Sequence, residues 1–275
     1  MLLLLLGACT PPPLLDQPYR DLPGVEENLL SLDLYPLEQP APLLVWVHGG
    51  AWRSGDKAKD MADKRRLARR SGYALASLNY RLSDPDDFGQ PTHLFHPVHV
   101  QDVAAALSWL HHNAARLGVD GERMVLMGPS AGAHLVALVV TNTEFLEAEG
   151  VDPGIVRGVA SYDVDAYDLP ARMSLPDAEA LFGAFGDDPA TWENASPIYH
   201  LRPGLPPFQL VCRGDTQRLA FCQDFAEKLE EQGTEVDILD GTALIHPEVA
   251  DSVGERSDDV LTPGVEEFLA RCNED

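Results

Sequence analysis

The sequence predicts an α/β fold: a mostly parallel central sheet flanked by helices, with a short lid insertion. Three observations predict it. Short apolar runs such as Leu43 to Val47 (LLVWV) lack polar alternation, as expected of strands covered on both faces. They alternate with segments of helical length, an order that calls for right-handed crossovers between parallel strands. The pentapeptide Gly128-Pro129-Ser130-Ala131-Gly132 then falls between one such run and a helical segment.

In chain order, Leu30 to Tyr35 (LSLDLY) alternates apolar and polar residues like an early antiparallel strand. Leu43 to Val47 follows, then a charged helix-favouring stretch from Lys57 to Arg70 and a buried-strand candidate at Tyr73 to Leu78. Val100, Val103, Leu107, Leu110, Ala114 and Leu117 recur at three- and four-residue steps, placing one helix face on a core. Met124 to Met127 is a short strand, and Ala131 to Val140 a helix. Strands at Ile155 to Ala160, Phe208 to Val211 and Val236 to Leu239, with helices at Leu219 to Glu231 and Thr262 to Arg271, complete the alternation. The stretch 163–207 interrupts it. Its aromatic content, including Tyr167, Phe182, Phe185, Trp192 and Tyr199, favours a packed lid over a loose loop. The expected organisation is a leader and Pro-rich linker over 1–22 and one domain over 23–275.

The chain has 275 residues, with 20 Lys plus Arg against 44 Asp plus Glu, a formal net charge of −24. Such a field repels phosphate backbones and anionic lipid, so nucleic acid is excluded as an electrostatic partner. The hydrophobic content of 45% is that of a folded domain and not of a disordered acidic chain.

Leu2 to Leu6 is too short to span a bilayer, which takes ~20 apolar residues. With Gly7, Ala8 and Cys9 it reads as the tail of a secretory segment and resembles a bacterial lipoprotein processing box, with Cys9 as the lipidated residue. That places the protein in a bacterial cell envelope, touching a membrane only through the anchor; a cytoplasmic protein with an apolar N-terminus is the alternative. Of the other cysteines, Cys212, Cys222 and Cys272, an odd number leaves a free thiol. Two arrangements fit Cys212 and Cys222: a disulfide in an oxidising compartment, or two thiols packed as small hydrophobes. No cysteine or histidine spacing matches a zinc site.

The pentapeptide carries the chemistry. A sharp strand-to-helix turn exposes the Ser130 hydroxyl, and a glycine two residues to either side keeps side chains out of the turn. His48-Gly49-Gly50-Ala51-Trp52 directly follows the strand ending at Val47. Its glycines let backbone N–H groups approach a carbonyl oxygen that gains negative charge during acyl transfer. Gly50 and Ala51 are the candidate donors, joined by Ala131 at the helix start. Trp52 and His48 are assigned to packing and loop shape. A serine nucleophile needs a base and an orienting acid. Among nine histidines, only His246 follows the last predicted strand, so it is the candidate base. His93, His96, His99, His111, His112 and His200 sit too early or in polar helix and lid positions, and His134 is expected to be buried on the helix after Ser130. Asp215, after the strand Phe208 to Val211, is the expected acid, ahead of Asp224 inside a helix and Asp237 and Asp240 in the final strand.

HGGAW, GPSAGAHL, the AYD tripeptide, Ala195-Ser196-Pro197 and His246 followed by Thr262-Pro263 together resemble the carboxylesterase branch of the α/β-hydrolase fold. The nearest subgroups are feruloyl-esterase-like and kynurenine-formamidase-like hydrolases, and the likeness covers most of residues 28–270. It implies a cofactor-free serine esterase acting on small-molecule esters through an acyl-enzyme. In it Ser130 is the nucleophile, His246 the base and Asp215 the acid, with Gly50, Ala51 and Ala131 at the oxyanion. An arylformamidase-type amide hydrolase using the same residues is one alternative; a non-catalytic surface lipoprotein of hydrolase fold is another. Two features depart from the pattern. Pro129 stands where such elbows often carry histidine, and the loop Arg213-Gly214-Asp215-Thr216 is compact for an acid loop.

Overall fold

The computed structural model of the chain describes residues 11–84, 86, 89, 90 and 93–274. Cys9 and the Leu2 to Leu6 run lie outside them. The first elements are strands β1 (Leu14–Pro18), β2 (Ser31–Tyr35) and β3 (Pro42–Val47), helix α1 (Met61–Arg70), β4 (Ala74–Leu78), α2 (Val98–Leu117) and β5 (Asp120–Pro129). Helices α3 (Ala131–Thr141) and α4 (Glu144–Ala148) lead to β6 (Val156–Tyr162). Three short helices follow, α5 (Leu169–Met173), α6 (Glu179–Phe185) and α7 (Pro189–Asn194). The chain ends with β7 (Phe208–Cys212), α8 (Thr216–Glu231), β8 (Val236–Asp240), α9 (His246–Ser252) and α10 (Thr262–Cys272).

The strands form one eight-stranded sheet in the order β1-β2-β4-β3-β5-β6-β7-β8. From β4 to β8 every pairing is parallel, while β2 is antiparallel to both β1 and β4. The expected mostly parallel sheet is therefore present, with the early antiparallel strand at its margin. β1 lies within the stretch expected to be linker. It pairs at the edge with a register break between Leu14 and Gln17, and its half-exposed residues carry no core periodicity.

Alternation along the strands divides the core. Leu43, Val45 and Val47 of β3 join Val100, Val103 and Leu107 of α2, Leu135 and Leu138 of α3 and Phe225 of α8 on one face. Leu44 and Trp46 join Leu67 of α1, Val249 of α9 and Phe268 of α10 on the other. Each fully buried Leu or Phe contributes about 1.5–3 kcal/mol, so neither face can be left uncovered. The α2 stripe is buried as its spacing predicts, and the helix stops at Gly118, whose φ of +69° and N–H bond to the Ala114 carbonyl close the last turn.

The 163–207 stretch packs onto the domain, its short helices fastened from below. His93 Nε2 bonds the Gly183 carbonyl, His96 Nε2 the Asn194 Oδ1 and His134 Nε2 the Ala195 carbonyl, each at 2.7 Å. The His96 N–H also donates to the Ala184 carbonyl at 2.8 Å. Phe185 lies edge-on to Trp52 and His134, which fixes α6 against the loop after β3 and the helix after β5.

His96, His99 and His134 are buried as neutral rings. Burial lowers His96 to about 4, and His99 and His134 to about 3. An unfolded chain protonates the same rings near 6.5, so below that pH it binds protons that the folded chain refuses. Their stability contribution is full above about pH 6.5 and falls as pH drops toward 4 and then 3, by up to about 4 kcal/mol per pH unit for three rings. Thermal melts at steps between pH 7 and 4.5 are expected to show a steadily falling midpoint; a flat midpoint over that interval contradicts the burial argument.

Candidate active site

The functional side chains gather at the carboxyl ends of the parallel strands, where open α/β sheets place their ligands. Ser130 joins β5 to α3 with φ +54° and ψ −123°, a backbone state that is strained for a residue with a side chain. Its N–H donates to the Tyr162 carbonyl at 2.8 Å, so β6 holds the turn in place. A Cβ on Gly132 would sit 2.0 Å from the Val47 carbonyl oxygen, and one on Gly128 would sit 2.6 Å from it. Only glycine at both positions lets the elbow rest on the end of β3.

The loop after β3 faces the serine from that same contact. A Cβ at Gly49 would meet the Ser130 Cβ at 3.2 Å. Gly50 has φ +125°, and its carbonyl accepts the N–H groups of Arg53 and Ser54, which turns the loop. His48 stacks on Tyr80, whose hydroxyl donates to the His48 carbonyl, and Trp52 is buried. Both have the packing role expected of them. Gly50 and Ala51 line a cleft of about 660 Å³ together with Ser130 and His246, and Ala131 is the first residue of α3. His134 is fully buried on that helix.

His246 begins α9. The last parallel pairing sets its approach: Cys212 faces Asp240, the Gly241 N–H bonds the Cys212 carbonyl, and Asp240 is consumed by a turn with Thr242. The Ile245 N–H donates to the Glu248 carboxylate at 2.8 Å, which anchors the helix start. The imidazole is thereby directed at Ser130, with Nε2 at 3.0 Å from Oγ.

Its other nitrogen does not face Asp215. His246 Nδ1 lies 2.5 Å from Oδ2 of Asp163, the residue directly after β6. Asp215 instead caps α8, accepting the N–H groups of Gln217 and Arg218 at 3.2 and 2.9 Å, and is exposed. The expectation for Asp215 is corrected by simple geometry: its carboxylate is spent on the unsatisfied donors of a helix start. Asp163 is 3% exposed and has φ +57°. Burial alone would raise its pKa, but the His246 hydrogen bond, the Arg218 charge and the Arg213 hydrogen bond hold it down to about 2. β6 neighbours β5, the strand that leads to Ser130, whereas β7 is one strand further away. The available sequence signal was a carboxylate three residues past the expected strand Ile155 to Ala160.

Cys212 and Cys222 form a disulfide with Cα atoms 5.6 Å apart, tying the end of β7 to α8, while Cys272 is a buried free thiol. Of the two arrangements open to the pair, the cross-link is the one found. Among the described residues no helix is long and apolar enough to cross a membrane.

The BD-FAE family model matches residues 32–229. Esterase LipQ of Mycobacterium tuberculosis is 32% identical over 208 residues, covering 70% of this chain and 46% of LipQ. Esterase LipC of the same organism is 31% identical over 185 residues, covering 63% of this chain and 44% of LipC. The chain thus spans just under half the length of these curated relatives. Among solved structures, a truncated carbohydrate esterase from gut microbiota superposes with a TM-score of 0.76 at 17% identity, covering 97% of this chain and 98% of that one. Esterase B from Lactobacillus rhamnosis superposes with a TM-score of 0.71 at 24% identity, covering 92% and 82%. The sheet order, the strand-turn-helix elbow and the matched segment lead to one assignment: the chain has the α/β-hydrolase fold and belongs to the BD-FAE family.

Proposed function

We propose that the protein is a serine hydrolase of carboxylic esters that uses Ser130, His246 and Asp163. The observation that carries this reading is the continuous contact from Asp163 through both imidazole nitrogens to Ser130 Oγ, beside a glycine loop able to present N–H groups. The esterases among its relatives agree in reaction class.

His246 Nε2 takes the Ser130 proton as Oγ attacks the ester carbonyl carbon, and Asp163 holds the Nδ1 proton so that Nε2 is free to accept. The N–H groups of Gly50, Ala51 and Ala131 are assigned to the oxyanion, where the start of α3 adds its positive dipole end. The imidazolium then gives its proton to the departing alkoxide, leaving an acyl group on Oγ. Water, losing a proton to His246, attacks that acyl carbon and frees the acid while Ser130 regains its proton.

We further propose that Cys9 carries a lipid anchor and that the enzyme works in the bacterial envelope. The Leu-rich run with Gly7-Ala8-Cys9 supports this, as does the Cys212–Cys222 disulfide, which suits an oxidising compartment. Labelling of expressing cells with a radioactive fatty acid is expected to mark the wild type and spare Cys9→Ala; equal labelling of both rejects the anchor.

Short p-nitrophenyl esters test the chemistry. Ser130→Ala is expected to lose turnover by up to about 10⁶-fold. The two aspartates separate cleanly. Asp163→Asn should lower kcat by about 10⁴-fold. Asp215→Ala should keep near-normal kcat and cost about 1 kcal/mol of stability through the lost helix cap. Near-normal hydrolysis by Ser130→Ala would refute the reading, and a reversed pattern in the aspartates would restore Asp215 as the acid.

A further inference from the structure

The loop that the sequence marks as the source of the acid presents two cations to it instead. Arg213 follows β7 and hydrogen-bonds Asp163 Oδ2 through Nε. Arg218, in the first turn of α8, places Nε 2.8 Å from Asp163 Oδ1 and Nη2 2.8 Å from the Asp163 carbonyl. Both lie between the disulfide partners Cys212 and Cys222. The clamp extends into the lid. Arg218 Nη1 is 2.9 Å from Asp165 Oδ2, Asp165 is 3.0 Å from Arg172 Nε of α5, and Arg172 also forks onto Asp177 at 2.8 Å.

We propose, on the basis of the Ser130–His246–Asp163 reading, that Arg213 and Arg218 are positioning residues that hold Asp163 against His246 and set the charge seen by the imidazole. Asp163 has a side chain only 1% exposed, so water cannot neutralise or orient it. One guanidinium bonds each oxygen of its carboxylate, which holds it in the orientation where Oδ2 also meets Nδ1. The clamp places the charges of Asp163, Asp165, Arg213 and Arg218 on the Nδ1 side of the ring, with Arg172 and Asp177 beyond them. The cleft that His246 lines also carries Arg53, Asp56, Lys59, Asp60, Lys64 and Asp251. The clamp therefore fixes the carboxylate that meets Nδ1, with two cations held close to the imidazolium that forms during proton transfer.

Arg218→Met should lower kcat on a p-nitrophenyl ester by about 100-fold with KM little changed. The acidic limb of its kcat/KM profile should move to higher pH by roughly one unit, because a cation that opposes the imidazolium has gone. Arg213→Met should move the limb the same way. Arg218→Lys keeps the charge without the planar fork, so its limb should stay in place while kcat recovers only in part. Melting curves identify a variant that fails to fold; if Arg218→Met does so, Arg213→Met and Arg218→Lys carry the test. An unshifted limb in the folded methionine variants, or a loss confined to KM, overturns the proposal. Ser130→Ala, measured alongside, keeps the two readings apart. If it is inactive while the arginine variants behave as wild type, only the clamp fails; if it hydrolyses the ester normally, the underlying esterase reading fails first.

Discussion

The structure of the site depends on one close approach, that of the β5–α3 turn onto the end of β3. Any side chain at Gly132 would collide with the Val47 carbonyl, and the same oxygen bars one at Gly128. That contact sets the height of Ser130 above the sheet and forces its positive φ. It also brings the chain after Val47 directly past Ser130, so the HGGA loop is a consequence of the elbow as much as a partner to it. A turn this strained persists because β6 ties down its N–H and α3 is buried along its length.

A second constraint is electrostatic. A carboxylate buried as deeply as Asp163 is costly unless it is paired and hydrogen-bonded, and this fold pairs it twice before the imidazole is counted. The arginines reach it from a segment stiffened at both ends by the disulfide. The chain carries far more acid than base, yet the carboxylate buried at the site is the one given two of its few guanidiniums.

The parts legible in the sequence were those with a local signature. Apolar runs announced β3, β4, β5, β6, β7 and β8, the glycine spacing announced Ser130, and the position after the last strand singled out His246. Asp163 was not singled out because its approach to His246 is spatial. It opens the lid segment in sequence but stands beside the nucleophile strand in the sheet, and strand order is not written in any local pattern. Asp215 misled for the complementary reason. A carboxylate after a strand and before a helix fits both an acid loop and a helix cap, and only the direction of the side chain distinguishes them. β1 was hidden because an exposed edge strand needs no apolar periodicity.

On the proposed assignment of Asp163, an acid after β6 ties two parts of the protein that could otherwise vary separately. Asp163 is the first residue of the lid segment, and Asp165, two residues on, is gripped by both Arg218 of α8 and Arg172 of α5. The far side of the lid is fastened to His93, His96 and His134, the last of which rides on the nucleophile helix. A shift of the lid would therefore pull on the carboxylate at one end and on α3 at the other. With the acid after β7 the lid could be lengthened or reshaped without touching the base. Here the short helices of 163–207 and the carboxylate that meets His246 Nδ1 are held by one connected set of ion pairs, so with Asp163 as the proposed acid, changes in that segment are expected to be felt in the chemistry.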